Sequence, residues 1–102
     1  MNDRKAFYDG KRWERLRETI LRRDGYMCQD ARRYGKHVKA EHVHHILPRE
    51  QFPQYQYEPW NLISLSKKAH DEMHSRGNRQ LTAKGLELAR RTIQKYNIDV
   101  EL

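Results

Sequence analysis

Cysteine is almost missing from this chain: Cys28 is the only one in 102 residues. Without a second thiol no intrachain disulfide can form, and a lone thiolate cannot build the closed four-ligand site that structural zinc requires. Long hydrophobic runs are missing too. No stretch approaches the ~20 apolar residues of a membrane span. The start, Met1-Asn2-Asp3-Arg4-Lys5, leads into no apolar segment of secretory type. The expectation is therefore a protein without a membrane partner that works in the cytoplasm, that of a host cell if a virus or mobile element encodes it. Hydrophobic residues make up only 36% against 34% charged, which limits the chain to one domain, 1–102, with a small core. All three prolines fall between Pro48 and Pro59. That segment reads as a loop, long enough to need a role or pinning by Phe52, Tyr55 and Tyr57.

What is abundant is positive charge. The net charge is +7, unevenly spread. Residues 1–40 hold twelve Lys/Arg against six Asp/Glu, residues 41–75 three against five, and residues 76–102 six against three. A mildly acidic centre between basic arms suits a polyanion whose phosphate must reach a cation. Lys11, Arg12, Arg15, Arg22, Arg23 and Arg76 are the candidate phosphate contacts.

Periodicity predicts helix, hairpin, helix, helix. Asp9 is expected to N-cap a first helix over about 10–24 that buries Trp13, Leu16, Ile20 and Leu21 and ends at Gly25. Tyr26 to Lys36 reads as irregular, and a strand pair is expected from near Val38. His42 to Leu47 is β-branched and aliphatic enough for one strand, with Leu62-Ile63-Ser64-Leu65 as its return. Ser66 can cap a helix from Lys67 to about Ser75, closed by Gly77. A last helix over about 82–97 should bury Leu86, Ala89, Ile93 and Tyr96.

The centre also carries five of the six histidines. His44 and His45 are neighbours on the expected strand, so their rings leave opposite faces. His70 and His74 stand at i and i+4, one face of a helix. A zinc-protease reading fails, because His70-Asp71-Glu72-Met73-His74 has Asp71 and Met73 where that chemistry puts its glutamate. A hairpin-then-helix metal site fits better. His44, His70 and His74 would supply three neutral nitrogens and leave positions open for water or substrate. His45, aimed the other way, is free to act as base, and the Asn61 amide can tie down the loop that aims it. His37 and His42 read as surface residues, Trp13 and Trp60 as core, Glu41 and Asp71 as solvated, and Cys28 as a relic.

His45, Asn61 and His70 resemble the three name-giving residues of the HNH endonucleases, and Val43 to His74 resembles their ββα-metal fold. Lys11-Arg12-Trp13 with Leu21 to Cys28 resembles the N-terminal helix and zinc-knuckle turn of small phage members, and Leu81-Thr82-Ala83-Lys84-Gly85 their C-terminal tail. His74 looks like the third ligand of the nuclease colicins. One departure is plain. Many phage members hold a structural zinc with two Cys-x-x-Cys pairs. Here those positions are Cys28 and Ala31, then Ser66 and Ala69. No structural zinc is expected. Ala31 and Ala69 packed under Tyr26 or Tyr34 would hold the knuckle, with Ser66 free to cap its helix.

The resemblance implies an α+β fold: a ββα-metal core at about 38–76 with flanking helices. It implies a DNA endonuclease that hydrolyses phosphodiesters with one divalent ion (Mg, Mn, Ni or Zn). His44, His70 and His74 would be the ligands, His45 the base and Asn61 its support. Nicking by the monomer with little sequence specificity is expected, with activity falling below about pH 6.5. The resemblance also implies a phage source, with terminase or portal proteins as partners. The alternative class is a non-catalytic DNA-binding or packaging module on the same fold; an RNase on this scaffold is a third.

Overall fold

The computed structural model describes residues 3–102. Five helices and one two-stranded sheet follow in the order α1 (Asp3–Asp9), α2 (Lys11–Arg23), α3 (Gln29–Arg33), β1 (His42–His45), β2 (Leu62–Leu65), α4 (Lys67–Met73) and α5 (Ala83–Tyr96). Two short 3-10 turns, Pro53–Tyr55 and Pro59–Asn61, stiffen the long connection between the strands. Among the described residues no helix is long and apolar enough to cross a membrane.

The strands pair antiparallel, with His44 opposite Ile63 and His45 opposite Leu62. Side chains alternate across a strand, so each sheet face can meet its own core. Phe7, Trp13, Ile20, Leu21, Ala40, Val43 and Leu62 form one cluster, in which α1 and α2 meet the sheet. Cys28, Ile46, Leu47, Leu65, Ala69, Met73, Leu88 and Ala89 form the other, in which the knuckle, α4 and α5 close over the opposite face. Each face therefore carries one of the paired histidines toward a different set of neighbours.

Helix α2 ends in a Schellman motif. Tyr26 N–H donates to the Leu21 carbonyl at 2.8 Å and Gly25 N–H to that of Arg22 at 3.1 Å, with Gly25 at φ 64°. Arg23 and Asp24 then fasten the helix to β2. The Asp24 carboxylate accepts from Ser64 N–H at 3.0 Å, and Arg23 donates to the Pro59 and Leu62 carbonyls at 2.9 and 2.7 Å. The Ser66 hydroxyl caps α4, accepting from Ala69 N–H at 3.1 Å.

Several local expectations need correction. Asp9 closes α1 instead of capping α2, whose N-cap is Gly10 with no side-chain hydrogen bond. The segment after Cys28 is not wholly irregular but contains α3. Strand β1 stops at His45, short of Leu47: Ile46 N–H still reaches the Asn61 carbonyl (2.8 Å) in register, but Asn61 belongs to a 3-10 turn and Pro48 follows. Met27 and Lys39 pair only as an isolated bridge. Helix α4 stops at Met73, so His74 is extended (φ −122°, ψ 140°). Helix α5 buries Gly85, Leu88, Ala89 and Thr92, while Tyr96 is 46% exposed. Tyr26 and Tyr34 stand in solvent at 44% and 67% exposure, so neither covers the knuckle.

Candidate metal centre and base

Three imidazoles converge where β1 meets the end of α4. His44, His70 and His74 each offer a nitrogen, and these atoms all lie within 4.8 Å of one another. Their rings stand edge to face with centroids 5.1–5.4 Å apart. His44 is 1% exposed, and among the described residues neither of its ring nitrogens has a hydrogen-bond partner. Buried polar atoms are rarely left this way, since each costs about 1–3 kcal/mol. A cation would satisfy one of them, so the residues present fit a bound divalent ion.

Each ligand is delivered differently. His44 comes from β1 and His70 from α4, one turn after the Ser66 cap. His74 lies past the helix and is set by the loop behind it. It bridges to Leu81, Ser75 N–H donates to the Gln80 carbonyl at 2.8 Å, and its Nδ1–H donates to the Arg79 carbonyl at 3.2 Å. A Cβ on Gly85 would sit 2.5 Å from the Met73 carbonyl, so glycine is needed for α5 to approach the end of α4. His42 stacks on His70 at 4.9 Å, close to the cluster but outside its ligand set.

His45 leaves the other face of β1. Trp13 stacks on its ring at 5.1 Å, and Phe7 and Tyr8 close two further sides. Its Nε2 lies 3.0 Å from the Gln56 carbonyl. A carbonyl only accepts, so Nε2 carries the proton and Nδ1 holds the free lone pair. Asn61, fully buried, fixes the loop that presents this carbonyl. Its Oδ1 accepts from Leu47 N–H at 2.7 Å, and its Nδ2 donates to the Leu47 and Tyr55 carbonyls at 3.2 and 3.1 Å.

Burial keeps these rings neutral. It pushes His44 well below the usual histidine range, and the closeness of the His74 and His70 rings adds to it. Burial likewise takes His45 to about 4, partly opposed by the Gln56 carbonyl and reinforced by the Arg49 charge. His70 is lowered to about 4, first by burial and then by His42 and His74. Neutral imidazole is the form that ligates and the form that accepts a proton. The acid limb expected near pH 6.5 is thereby moved down.

A cavity of about 670 Å³ opens onto both groups, lined by His44, His45, His70 and His74. Of the six cationic residues expected to meet phosphate, only Arg76 lines it. Arg12 lies over the Tyr57 ring at 3.7 Å, Arg22 borders a separate cavity, and Arg23 is spent on Asp24 and backbone carbonyls. Lys11 and Arg15 sit on α2 away from the cavity lining. The arginines that do line it besides Arg76 are Arg4, Arg17, Arg49 and Arg79. Arg49 is largely enclosed, its side chain 10% exposed, paired with Asp3 at 3.1 Å and lying over Phe7 at 4.4 Å. Nothing in the local sequence distinguishes these arginines, because tertiary contacts select them.

No model of a protein family matches the sequence, and no curated protein matches it either. A solved structure does: the HNH endonuclease of the deep-sea thermophilic bacteriophage GVE2, crystallised with a manganese ion. Identity is 31% over 85% of this chain and 83% of that one, with a TM-score of 0.65. The ββα arrangement is thus shared along most of both chains, with the paired histidines and Asn61 lying within that core. On this likeness in sequence and fold, the chain belongs to the HNH endonuclease family.

Proposed function

We propose that the chain is a metal-dependent DNA endonuclease that nicks the duplex, with His44, His70 and His74 as ligands to one divalent ion and His45 as general base. The observation that carries this is the shared cavity, in which the three-imidazole cluster, the His45 ring and five arginines face one space. The relative's manganese supports a divalent ion here. Three nitrogen donors favour nickel or zinc for affinity, while magnesium or manganese suits turnover. The knuckle positions are filled by side chains, and we propose no structural zinc there.

What a bound divalent ion supplies is neutralisation of the charge developing on the phosphate. The chain's own residues do the rest. The Gln56 carbonyl holds the His45 proton on Nε2, so Nδ1 takes one proton from the attacking water. The water oxygen bonds to phosphorus and the P–O3′ bond breaks, leaving a 5′-phosphate and a 3′ oxyanion that takes a proton from solvent to become the 3′-hydroxyl. Asn61 keeps the 47–61 loop, and with it that carbonyl, in place. Arg49 and its neighbours hold phosphates, which fixes position and not sequence, so low specificity follows. A phage source, a cytoplasmic setting and a terminase or portal partner belong to the same proposal, supported by the relative's origin.

The test is a supercoiled-plasmid nicking assay with Mn²⁺ or Mg²⁺, with and without chelator. Wild type should nick only with the ion, and His45→Ala should lose about 10²–10⁴ in rate while still binding it. Full activity in His45→Ala would remove the base assignment. No nicking with any divalent ion would leave a DNA-binding module, and faster cleavage of competing RNA an RNase.

A further inference from the structure

The base has a neighbour that the family signature does not include. Tyr8, on α1, places its hydroxyl 3.4 Å from His45 Nδ1, the nitrogen left free once Nε2 is committed to Gln56. Among the described residues that hydroxyl has no other hydrogen-bond partner. The rest of the side chain is held by rings: Trp13 edge-on at 5.4 Å and Phe7 edge-on at 4.9 Å, with the Arg49 guanidinium 5.6 Å above the ring. Phenylalanine would make all of those contacts. The hydroxyl is needed only where it is, at the mouth of the base in the cavity that also holds the ligand cluster.

We propose that Tyr8 positions the attacking water. At 3.4 Å the phenol and Nδ1 are too far apart for a strong direct bond, which usually closes to 3 Å or less. A water on the cavity side of the pair accepts from the Tyr8 O–H and donates one hydrogen to Nδ1. Its remaining lone pair then faces the cavity, where the phosphate is bound. When its oxygen bonds to phosphorus, its proton passes to Nδ1 and the 3′ oxygen leaves with the P–O bonding pair. Tyr8 keeps its own proton throughout. It acts on the water's orientation, so its contribution belongs in the chemical step and not in DNA affinity. This rests on the endonuclease reading above.

Tyr8→Phe tests it, with Tyr8→Leu to report loss of the ring. For Tyr8→Phe, kcat for nicking should fall about 10–100-fold, with KM, divalent-ion affinity and thermal midpoint unchanged. Tyr8→Leu should in addition lower the midpoint. An unchanged kcat in Tyr8→Phe overturns the proposal. A raised kcat overturns it too, since Tyr8 would then occupy the water's place. The second arm needs no activity: ¹⁵N resonances of the His45 ring in the folded, chelator-treated protein. The proposal requires Nδ1 to shift between wild type and Tyr8→Phe while Nε2 keeps its proton. Identical Nδ1 resonances overturn it even if no DNA is cut, whereas inactivity of wild type alone counts against the endonuclease reading.

Discussion

At the expected knuckle positions, Cys28 and Ala69 are 1% and 5% exposed among Leu47, Leu65, Met73 and Ala89, and Ala31 packs against them. The Ser66 hydroxyl is turned to Ala69 N–H, and Lys84 ties Asp30 to Glu72 with both contacts at 2.9 Å. On β1, where it meets the end of α4, His44 is as deeply buried, and among the described residues both its nitrogens lack partners. One region has closed over itself with apolar contacts and satisfied polar atoms. The other has retained an unmet demand for a ligand. The difference between the two regions is what a fold leaves unsatisfied: polar nitrogens without partners at His44, and none of that kind among Cys28, Ala31, Ser66 and Ala69.

Predictions follow from breaking each side of that contrast. The largest concerns Asn61, a buried polar side chain whose hydrogen-bonding groups are met. Asn61→Ala strands Leu47 N–H and two carbonyls in the interior, and urea unfolding should show about 3 kcal/mol of lost stability. A loss below about 1 kcal/mol would mean the loop is not held this way.

Next is pH. Folded His45 titrates near 4 against about 6.5 unfolded, and His44 and His70 are shifted the same way. Between these values the unfolded chain binds more protons. Stability of the chelator-treated protein should therefore be complete above about pH 6.5 and fall by about 1–3 kcal/mol as pH drops toward 4. Cys28→Ala should lower the whole curve without changing its slope. A flat profile would contradict burial of neutral rings.

His44→Leu should go the other way. It replaces two unpartnered nitrogens with apolar surface of similar volume, so without metal it should be about 1 kcal/mol more stable than wild type, while the stabilisation that added ion gives wild type disappears. The smallest effect is at Lys84. It is 39% exposed, and its bonds to Glu72 and Asp30 raise its own pKa, with solvent screening much of their worth. Lys84→Met should cost at most about 1 kcal/mol by thermal melt and leave metal binding intact.

Much of the site was legible because its signals are local. His44, His45, Asn61, His70 and His74 were expected from residue type and spacing, as were β2, the Ser66 cap and the Gly25 helix end. What was not legible depends on distant partners. Helix α1 has one buried residue, Phe7, and forms where Phe7 and Tyr8 meet Trp13 and His45. Helix α3 has no side-chain cap to announce it. His74 reaches the cluster from extended backbone shaped by residues 75–81, not by helical periodicity. The arginines of the cavity come from four separate stretches of chain, and only folding brings them together.

The central claim is that one region needs an ion and the other does not. Metal content per chain after loading with zinc or nickel and gel filtration tests it directly, in wild type, Cys28→Ala and His44→Ala. The account predicts one ion in wild type, one in Cys28→Ala and none in His44→Ala. Two ions in wild type, loss of an ion in Cys28→Ala, or an ion retained by His44→Ala would contradict it.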